Sequence, residues 1–346
     1  MCELDNSIHI TLLTNRKPLQ LLPTHEQITH HYIPSIERYL RPGRVWKPIL
    51  PMMRRQVFKL RLGPKREGIW HSTFFTMPES WVGLKVVTVF DMIYERFPNL
   101  YDGLGDEKFR KLKRDCLQDA NAVICISETT RQDLQDFYGI DKDYTYVTHL
   151  ACSDVFRQLD QSNDQLELTL EKPFLLYVGD RARYKNFNSL MKTYSVWAGR
   201  KDVNIVVVGK PWLSSEANNL VQLGIQRNVN LLSHVDDEQL CQLYNKAIAF
   251  VYPSLYEGFG IPLVEAMSCG CPIIASYIPS TIEIAGDCPI YFKPDESDDL
   301  LNAFNVAIFE GQNSDRVQRG LTCKKKYSWN KTAIQTLDIY RILSEI

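Results

Sequence analysis

The sequence predicts an α/β protein with two Rossmann-like domains that face each other across a cleft. The chain has 346 residues, which exceeds the usual size of one domain. Short β-rich runs alternate with longer helical patterns, which is typical of parallel sheets joined by right-handed crossovers. This alternation stops in the polar stretch Arg157–Lys172 and then starts again, so we expect the linker there.

The first half of the chain contains three predicted strands and two predicted helices. Val86–Phe90 is almost entirely apolar, as expected of a strand that is buried on both faces. Ser127 is a suitable N-cap, and Gly139 suits the residue that ends a helix. The other elements expected here are strands at Ile8–Leu13 and Ala122–Ile126 and helices at Asp106–Ala120 and Thr129–Tyr138.

The second half repeats the same alternation of strands and helices. Strands are expected at Phe174–Val178, Asn204–Val208, Asn230–Leu232, Ala249–Tyr252 and Pro272–Ala275, and helices at Asn188–Ala198, Asp236–Lys246 and Leu263–Ser268. Ligands of such sheets bind beyond the carboxyl ends of the strands, so we look for the functional site in the loops that follow the strands.

Composition and charge argue against several classes of protein. The net charge is −1, so no overall field attracts nucleic acid. The sequence lacks the run of about eighteen apolar residues that a spanning helix needs, and its start does not resemble a signal peptide. The nine cysteines form no CxxC pair and fit reduced, mostly buried thiols. We therefore expect a cytoplasmic protein that binds no nucleic acid.

One segment departs from this balanced charge. Arg38–Arg66 contains ten Lys or Arg and no acidic residue, with aromatic and aliphatic side chains between them. This composition suits peripheral contact with an anionic membrane, or with an acidic acceptor. A solvated basic surface is the alternative.

The most informative segment has the sequence YPSLYEGFGIPLVEAMSCG and runs from Tyr252 to Gly270. A strand is expected to end at Tyr252, and a helix to start near Pro262. Gly258 and Gly260, between them, allow backbone N–H groups to approach a ligand. The helix N-terminus adds partial positive charge, so this loop suits a phosphate group.

Two carboxylates flank this expected anion site. Glu257 lies just before the loop, and Glu265 lies one turn into the helix, so both can face the same cleft. A carboxylate beside a phosphate is unusual unless it binds hydroxyl groups, and the hydroxyls of a sugar and of a ribose are natural partners. Without its flanking sequence, the loop would be interpreted as an ordinary strand–turn–helix.

The whole segment resembles the Glu-x7-Glu signature of glycosyltransferase family 4, whose members are retaining GT-B enzymes of the mannosyltransferase and glycogen synthase type. The resemblance extends to Cys271–Ala275, Pro279–Ser280 and Glu283–Gly286, which resemble the following strand and loop, to the Ser-x-x-Thr-Arg element in Ala122–Asp133, and to Tyr327–Ala333. It covers nearly the whole chain. It implies an acceptor domain at 1–160, a donor domain at 173–326 and a last helix at 327–346 that crosses back to the first domain.

The resemblance also implies roles for individual residues. The first glutamate of the signature contacts the transferred sugar in that family, and the second holds the ribose, which implies these roles for Glu257 and Glu265. The remaining donor-binding residues implied here are Gly258, Phe259, Gly260 and Ile261 in the loop, and His234 and Val235 near the base.

A second cluster, GDRARYKN from Gly179 to Asn186, follows the first strand of the second domain. Arg181 and Lys185 can hold a departing diphosphate and stabilise the charge that grows on it. The family keeps an arginine and a lysine in this loop, although Arg183 is an alternative for the arginine. Gly179, Arg183 and Asn186 are expected to line the donor site as well. A basic surface loop is the alternative for the cluster as a whole.

The acceptor side is expected to include Phe90, Asp91 and His71. The family commonly has a histidine and an aspartate after the corresponding strand. Here Phe90 stands in the histidine position, while Asp91 is present and is expected among the catalytic residues. Because the family's histidine commonly lies near the transferred sugar and the acceptor, its replacement by Phe90 is expected to affect how the acceptor is placed and how active the protein is. His71 is as suitable for packing or capping as for binding a ligand.

Two family features are not found in this sequence. The first glycine is Gly43, so the usual N-terminal Gly-rich loop is missing and we expect an N-terminal domain that is incomplete by about one β–α unit. No DxD motif has an obvious metal role, and the acidic pair Asp236 and Asp237 is explained by helix capping. The family works without metal, and we expect no metal and no cofactor.

Together with these residues, the resemblance implies a retaining hexosyltransferase that uses a nucleoside diphosphate sugar, such as GDP-mannose, as its donor. The acceptor would be a hydroxyl of a glycan or a lipid-linked glycan in polysaccharide biosynthesis. A non-catalytic GT-B homologue that acts as a binding or partner subunit is the first alternative, favoured by Phe90 and the missing Gly-rich loop. Another GT-B enzyme, such as a sugar epimerase or a phosphorylase, is the second.

Overall fold

The computed structural model describes residues 1–14, 23–32, 68–76, 78, 81–100, 103–160 and 172–345. The basic segment Arg38–Arg66 and most of the predicted linker Arg157–Lys172 therefore lie outside the described residues. Within this part of the chain the strands are β1 Ile10–Thr14, β2 Ile28–Tyr32, β3 Ile69–Ser72, β4 Leu84–Val89, β5 Ala122–Cys125, β6 Thr145–Val147, β7 Phe174–Val178, β8 Asn204–Val208, β9 Val229–Leu232, β10 Ala249–Tyr252, β11 Ile273–Ser276 and β12 Ile290–Phe292.

Eleven α-helices accompany these strands in the described residues. They are α1 Ile93–Arg96, α2 Leu104–Gln118, α3 Glu128–Tyr138, α4 Phe187–Val196, α5 Ser214–Gln222, α6 Asp237–Lys246, α7 Ile261–Ser268, α8 Pro279–Ala285, α9 Ser297–Glu310, α10 Asp315–Cys323 and α11 Trp329–Ser344. None of them has the length and hydrophobicity needed to cross a bilayer.

The second half of the chain forms a six-stranded sheet in the order β12-β11-β10-β7-β8-β9, and all its neighbouring strands are parallel. Successive residues of β7 contribute to different cores. Phe174 and Leu176 pack in one cluster with residues of α6 and α7, whereas Leu175 and Tyr177 pack in another with residues of α4 and α9. Both faces of the sheet are covered by helices, which explains why its strands are continuous apolar runs.

The first half forms two smaller sheets. One has the order β3-β4-β5-β6, and the other is the parallel pair β1-β2. The parallel α/β architecture predicted from the alternation is therefore confirmed for both halves.

Local sequence signals set several helix ends as predicted. The side chain of Ser127 accepts a hydrogen bond from Thr130 N and caps α3, and Gly139 ends that helix with φ 64°. Asp236 forms a capping box with Gln239 at the start of α6, which confirms the capping interpretation of this acidic pair.

Several predicted elements differ from the structure. The first strand is Ile10–Thr14 rather than Ile8–Leu13. The resemblance places Pro279–Ser280 and Glu283–Gly286 in a loop, but Pro279–Ala285 is a helix, because Pro279 suits a first helical turn and Gly286 ends it with φ 57°. Strands β2, β6 and β12 are too short or too polar for their periodicity to reveal them.

The chain divides into two compact units. One comprises Met1–Thr88, Lys111–Ile124 and Ala333–Ile346, and the other Val89–Arg110 and Cys125–Thr332. The second unit contains the whole six-stranded sheet, helices α1 and α3, and every predicted site residue except His71. All nine cysteines are free thiols, and eight of them are buried.

Candidate active site

The loop that carries the first glutamate of the signature, Pro253–Gly260, joins β10 to α7, as predicted. We call it the signature loop. Gly260 is the N-cap of α7 with φ 107°, a backbone conformation that favours glycine. At Gly258, a Cβ atom would lie 1.8 Å from the carbonyl oxygen of Phe90. Gly258 is therefore required by close packing against the segment after β4, a reason that the sequence did not reveal.

Glu257 and Lys185 form an ion pair at the ends of neighbouring strands. Lys185 Nζ lies 2.6 Å from Glu257 Oε1, and the two side chains are 19% and 9% exposed. The Tyr252 hydroxyl also donates a hydrogen bond to the Glu257 carboxylate. Because β7 and β10 are adjacent, their carboxyl ends bring these two predicted residues together. The site thus holds a cation and a carboxylate side by side.

Glu265 lies on α7 in a different environment. Its carboxylate accepts a hydrogen bond from the hydroxyl of Tyr244 on α6, which lies 3.0 Å from Oε2. Burial raises the pKa of the Glu265 carboxyl to about 7. Near neutral pH the group can therefore accept hydrogen bonds from hydroxyls as a carboxylate, or donate one hydrogen bond as a protonated acid.

Arg181 is held by a carboxylate outside the signature. Its guanidinium binds Glu216 in two places, with Nε–Oε1 at 2.8 Å and Nη2–Oε2 at 3.0 Å, and it lies over the Trp212 ring. The side chain is only 5% exposed. Within the described residues its buried Nη1 has no hydrogen-bond partner. The structure thus brings Lys185, but not Arg181, into contact with Glu257.

The turn between Arg181 and α4 has two unusual backbone positions. Gly179 has φ 127°, and Asn186 has φ 56° at the start of α4. Arg183 is exposed on this turn, and it lines a hollow of about 350 Å³. The other residues around the hollow are Arg96, Phe97, Pro98, Asn99, Leu100, Tyr184 and Leu255.

The acceptor-side residues Phe90 and Asp91 follow β4. Asp91 Oδ1 accepts a hydrogen bond from Ile93 N and so stabilises the start of α1. The side chain of Phe90 is 37% exposed, and its carbonyl oxygen contacts Gly258. The contact with the signature loop is made by the backbone carbonyl of Phe90. It therefore does not depend on the histidine side chain that the family usually has at this position.

His71 lies in the first compact unit, and both of its ring nitrogens are hydrogen-bonded. Nδ1 contacts the Tyr340 hydroxyl, and Nε2 lies 2.7 Å from Thr88 Oγ1. Burial lowers the pKa of His71 to about 4. These contacts fit the packing role that the sequence left open.

The turn predicted to face the donor base lies between β9 and α6. His234 has φ 62°, which is uncommon for a residue with a side chain. Val235 packs against the core that contains α6 and α7. The turn is thus strained at one position and anchored at the next.

Sequence reasoning missed the role of two hydroxyl groups near the signature loop. Ser127 Oγ and Thr130 Oγ1 lie 2.5 and 3.2 Å from the carbonyl oxygen of Gly258. The Ser-x-x-Thr spacing is visible in the sequence, where it indicates an N-cap at Ser127 and contributes to the family resemblance, but neither interpretation reveals a contact with the loop. Only the fold shows that a loop more than a hundred residues later accepts these hydrogen bonds.

Residues 160–318 match the family Glycosyl transferases group 1. The O-antigen chain mannosyltransferase B of Escherichia coli is 28% identical over 305 residues, which cover 84% of this chain and 78% of that protein. This chain is a glycosyltransferase. These matches support the predicted resemblance to a glycosyltransferase of the family 4 type, and they favour the enzyme over the non-catalytic alternative.

Two solved structures share the fold of this glycosyltransferase. Sucrose-phosphate synthase from Thermosynechococcus elongatus aligns with a TM-score of 0.79 and 19% identity, over 97% of the glycosyltransferase and 89% of that chain. Anabaena HepE in complex with UDP and glucose aligns with a TM-score of 0.70 and 17% identity, over 92% and 87%. The glycosyltransferase has the GT-B fold.

Proposed function

We propose that this glycosyltransferase transfers a hexose of the mannose type from a nucleoside diphosphate sugar, with GDP-mannose as the first candidate, and retains the anomeric configuration. The acceptor would be a hydroxyl of a glycan or lipid-linked glycan in cell-surface polysaccharide biosynthesis. The observation that carries the proposal is the Lys185–Glu257 pair beside the start of α7. The name of the Escherichia coli relative supports the sugar and the pathway.

Lys185 supplies positive charge where the diphosphate leaves. Its ammonium group is within 2.6 Å of Glu257, so a diphosphate bound at Lys185 places the sugar beside the Glu257 carboxylate. The N-terminus of α7 adds partial positive charge. Charge that develops on the leaving oxygen is stabilised by groups already in position, which is an effective form of catalysis.

In the proposed reaction the bond from the anomeric carbon to the diphosphate oxygen breaks while a bond to the acceptor oxygen forms on the same face. The acceptor proton passes to an oxygen of the departing phosphate. No separate strong base is then required. Glu257 orients the sugar by accepting hydrogen bonds from its hydroxyls and stabilises the positive charge on the ring.

Glu265 would hold the ribose of the donor. Ribose hydroxyls are donors, and an ionised Glu265 can accept more hydrogen bonds than the one that Tyr244 donates. The base would lie near His234 and Val235, where backbone groups of the strained turn are available.

The hollow beside Tyr184 is the candidate entrance for the acceptor. Tyr184 directly precedes Lys185, and its ring stacks with that of Phe97, with centroids 6.2 Å apart. Sugar rings pack well on aromatic faces, and the exposed Arg183 can donate to their hydroxyls. An acceptor here would approach from the side of the leaving group, as retention requires.

We also propose that transfer needs no metal, because Lys185 and the N-terminus of α7 provide the positive charge. Full activity in EDTA would support this, and a loss of activity that Mg²⁺ restores would contradict it. Cytoplasmic activity with peripheral membrane contact through Arg38–Arg66 is a separate proposal, and binding to anionic vesicles tests the contact.

The decisive test uses a panel of GDP-, UDP- and ADP-sugars with an α-mannoside acceptor. We expect GDP release and product formation from GDP-mannose, and an α-linkage in the NMR spectrum of the product. A β-linked product would contradict retention, and turnover of another donor alone would contradict GDP-mannose. Absence of turnover with every donor would contradict the proposed reaction.

A further inference from the structure

The carbonyl group of Gly258 is held by two buried hydroxyls at the start of α3. Ser127 Oγ lies 2.5 Å from this oxygen and Thr130 Oγ1 lies 3.2 Å from it. Both side chains belong to residues that are fully buried. Buried hydroxyls keep their hydrogen bonds to the protein, because no water competes for them.

The bond between Gly258 and Phe259 is trans, as are all peptide bonds described here. In a trans peptide the C=O and the following N–H point in opposite directions. Holding the Gly258 carbonyl towards α3 therefore directs the Phe259 N–H away from α3. The two hydroxyls fix the orientation of one donor group in the signature loop.

The Phe259 amide has no protein acceptor among the described residues. Phe259 itself is only 2% exposed, and its ring packs against His149 and Tyr327. Buried amide donors nearly always have a partner. A bound ligand would supply the missing acceptor.

The rest of the loop is held by contacts that keep this peptide from turning. Phe90 packs its carbonyl oxygen against Gly258, and the Tyr256 hydroxyl accepts a hydrogen bond from Met92 N. The start of α3 is fixed in turn by the Glu283 carboxylate. This group accepts hydrogen bonds from the two backbone N–H groups that follow Ser127, at 2.7 and 2.8 Å. The hydroxyls and the loop therefore keep one relative position.

We propose that Ser127 and Thr130 are positioning residues, which direct the Phe259 N–H at a hydroxyl oxygen of the hexose that is transferred. This inference rests on the proposed function, because it needs a sugar donor in the signature loop. It gives the Ser-x-x-Thr element a role in sugar recognition in addition to capping α3. Removing the hydroxyls would affect the sugar and spare the nucleotide.

The sequence offers a direct probe of this peptide. Gly258-Phe259 is the only Gly-Phe pair in the chain. Protein labelled with ¹³C at glycine carbonyls and ¹⁵N at phenylalanine amides therefore gives a single cross-peak in an HNCO spectrum. That peak reports the Gly258 carbonyl and the Phe259 N–H together, in the full chain and without turnover.

The variants are T130V, which replaces the hydroxyl by a methyl group of similar volume, T130S, which keeps the hydroxyl, and the double variant S127A/T130V. Gln132→Gly serves as control, since it weakens α3 at an exposed position without contacting the loop. In the free protein we expect the Gly258 carbonyl shift to move in T130V and S127A/T130V, and to stay near the wild-type value in T130S and Gln132→Gly.

For catalysis we expect S127A/T130V to lower kcat/KM for GDP-mannose by about 10- to 100-fold, while the Kd for GDP stays within about twofold of wild type. T130S should retain most of the activity. Adding GDP-mannose should shift the Phe259 N–H of the wild type further than GDP does, and the double variant should lose this difference.

Three results would overturn the inference. They are a Gly258 carbonyl shift that is unchanged in S127A/T130V, an unchanged kcat/KM in that variant, and a loss of GDP affinity as large as the loss of kcat/KM. Failure of the proposed function is distinguishable from all three, because it shows as absence of wild-type turnover with every donor. The carbonyl shift of the free protein tests the hydroxyl contacts in either case.

Discussion

The two glutamates of the signature lie eight residues apart, yet their surroundings differ. Glu257 contacts the ammonium of Lys185 and the hydroxyl of Tyr252. Glu265 has a tyrosine partner, Tyr244, and no cation in contact with it among the described residues. The first carboxylate is paired with a charge that a diphosphate can share, and the second can accept further hydroxyl donors.

Because their surroundings differ, the two glutamates suit different ends of the proposed donor. Glu257 suits the sugar and the diphosphate, and Glu265 suits the ribose. A carboxylate beside a cation is suited to the place where charge separates during the reaction. A buried carboxyl with a raised pKa is suited to hydroxyls, because hydrogen bonds from them favour its ionised form. We therefore expect substitutions of the two glutamates to show their effects in different assays, and the following predictions test that separation.

The largest effect is expected from Glu257→Gln, which keeps the shape and removes the charge. We expect kcat for GDP-mannose to fall by about 10²–10³-fold, because the positive charge on the sugar ring loses its counter-charge. The measurement is the rate of GDP release. Glu238→Gln, an exposed glutamate on α6, is the matched control and should be as active as wild type.

The second comparison is between the two cations of the turn after β7. Lys185→Met should lower kcat/KM by about 100-fold, because the leaving diphosphate loses a cation. Arg181→Met should mainly lower stability, by about 2–3 kcal/mol, because Glu216 then loses its partner in a largely buried site. Steady-state kinetics and urea unfolding of both variants check this. A larger loss of kcat/KM in a folded Arg181→Met protein would place Arg181 at the diphosphate.

The third prediction concerns pH. Because the pKa of Glu265 is raised to about 7, we expect the affinity for GDP to increase about tenfold between pH 6 and pH 8 as the carboxyl ionises. Glu265→Gln should show a flatter profile over this range. Calorimetric titration at several pH values provides the measurement.

The same pKa has the opposite effect on the free protein. A carboxyl whose pKa is raised in the folded state contributes stability that is fully present below its usual pKa of 4.5 and is lost as pH rises through about 7. Glu265→Gln should therefore show a smaller fall in Tm than wild type between pH 5 and pH 7. An equal fall in both proteins would contradict the assignment.

The smallest effect is expected at the hollow. Tyr184→Ala should raise KM for the acceptor by about three- to tenfold, because a sugar ring loses an aromatic face, and should leave KM for GDP-mannose unchanged. Phe309→Ala, on an exposed side chain of α9, is the control. A change in donor KM alone would place the acceptor elsewhere.

Much of this architecture can be predicted from the sequence, because its signals are local. The apolar strand Phe174–Val178, the capping residues Ser127 and Asp236, and the signature glutamates all depend on spacing along the chain, and the fold preserves each of them. The proximity of Lys185 and Glu257 follows from their positions after adjacent parallel strands. Both residues belong to motifs whose spacing fixes where they lie.

Other features depend on contacts that no local pattern records. The resemblance assigns Pro279–Ser280 and Glu283–Gly286 to a loop, and the helix Pro279–Ala285 is recognised only in the packed structure, where its short buried face is visible. Glu216 has no distinctive sequence context, yet its carboxylate pairs with Arg181, which lies 35 residues earlier in the chain. The hydroxyls of Ser127 and Thr130 reach Gly258 only because of the tertiary fold.

We expect Glu257 to act on the sugar and Glu265 on the nucleotide. The most direct test is to measure the Kd for GDP and the kcat for GDP-mannose with Glu257→Gln and Glu265→Gln side by side. We predict that Glu257→Gln keeps its GDP affinity within about threefold while turnover is nearly lost, and that Glu265→Gln loses GDP affinity by about tenfold at pH 8. Equal losses of GDP affinity in both variants would contradict this claim.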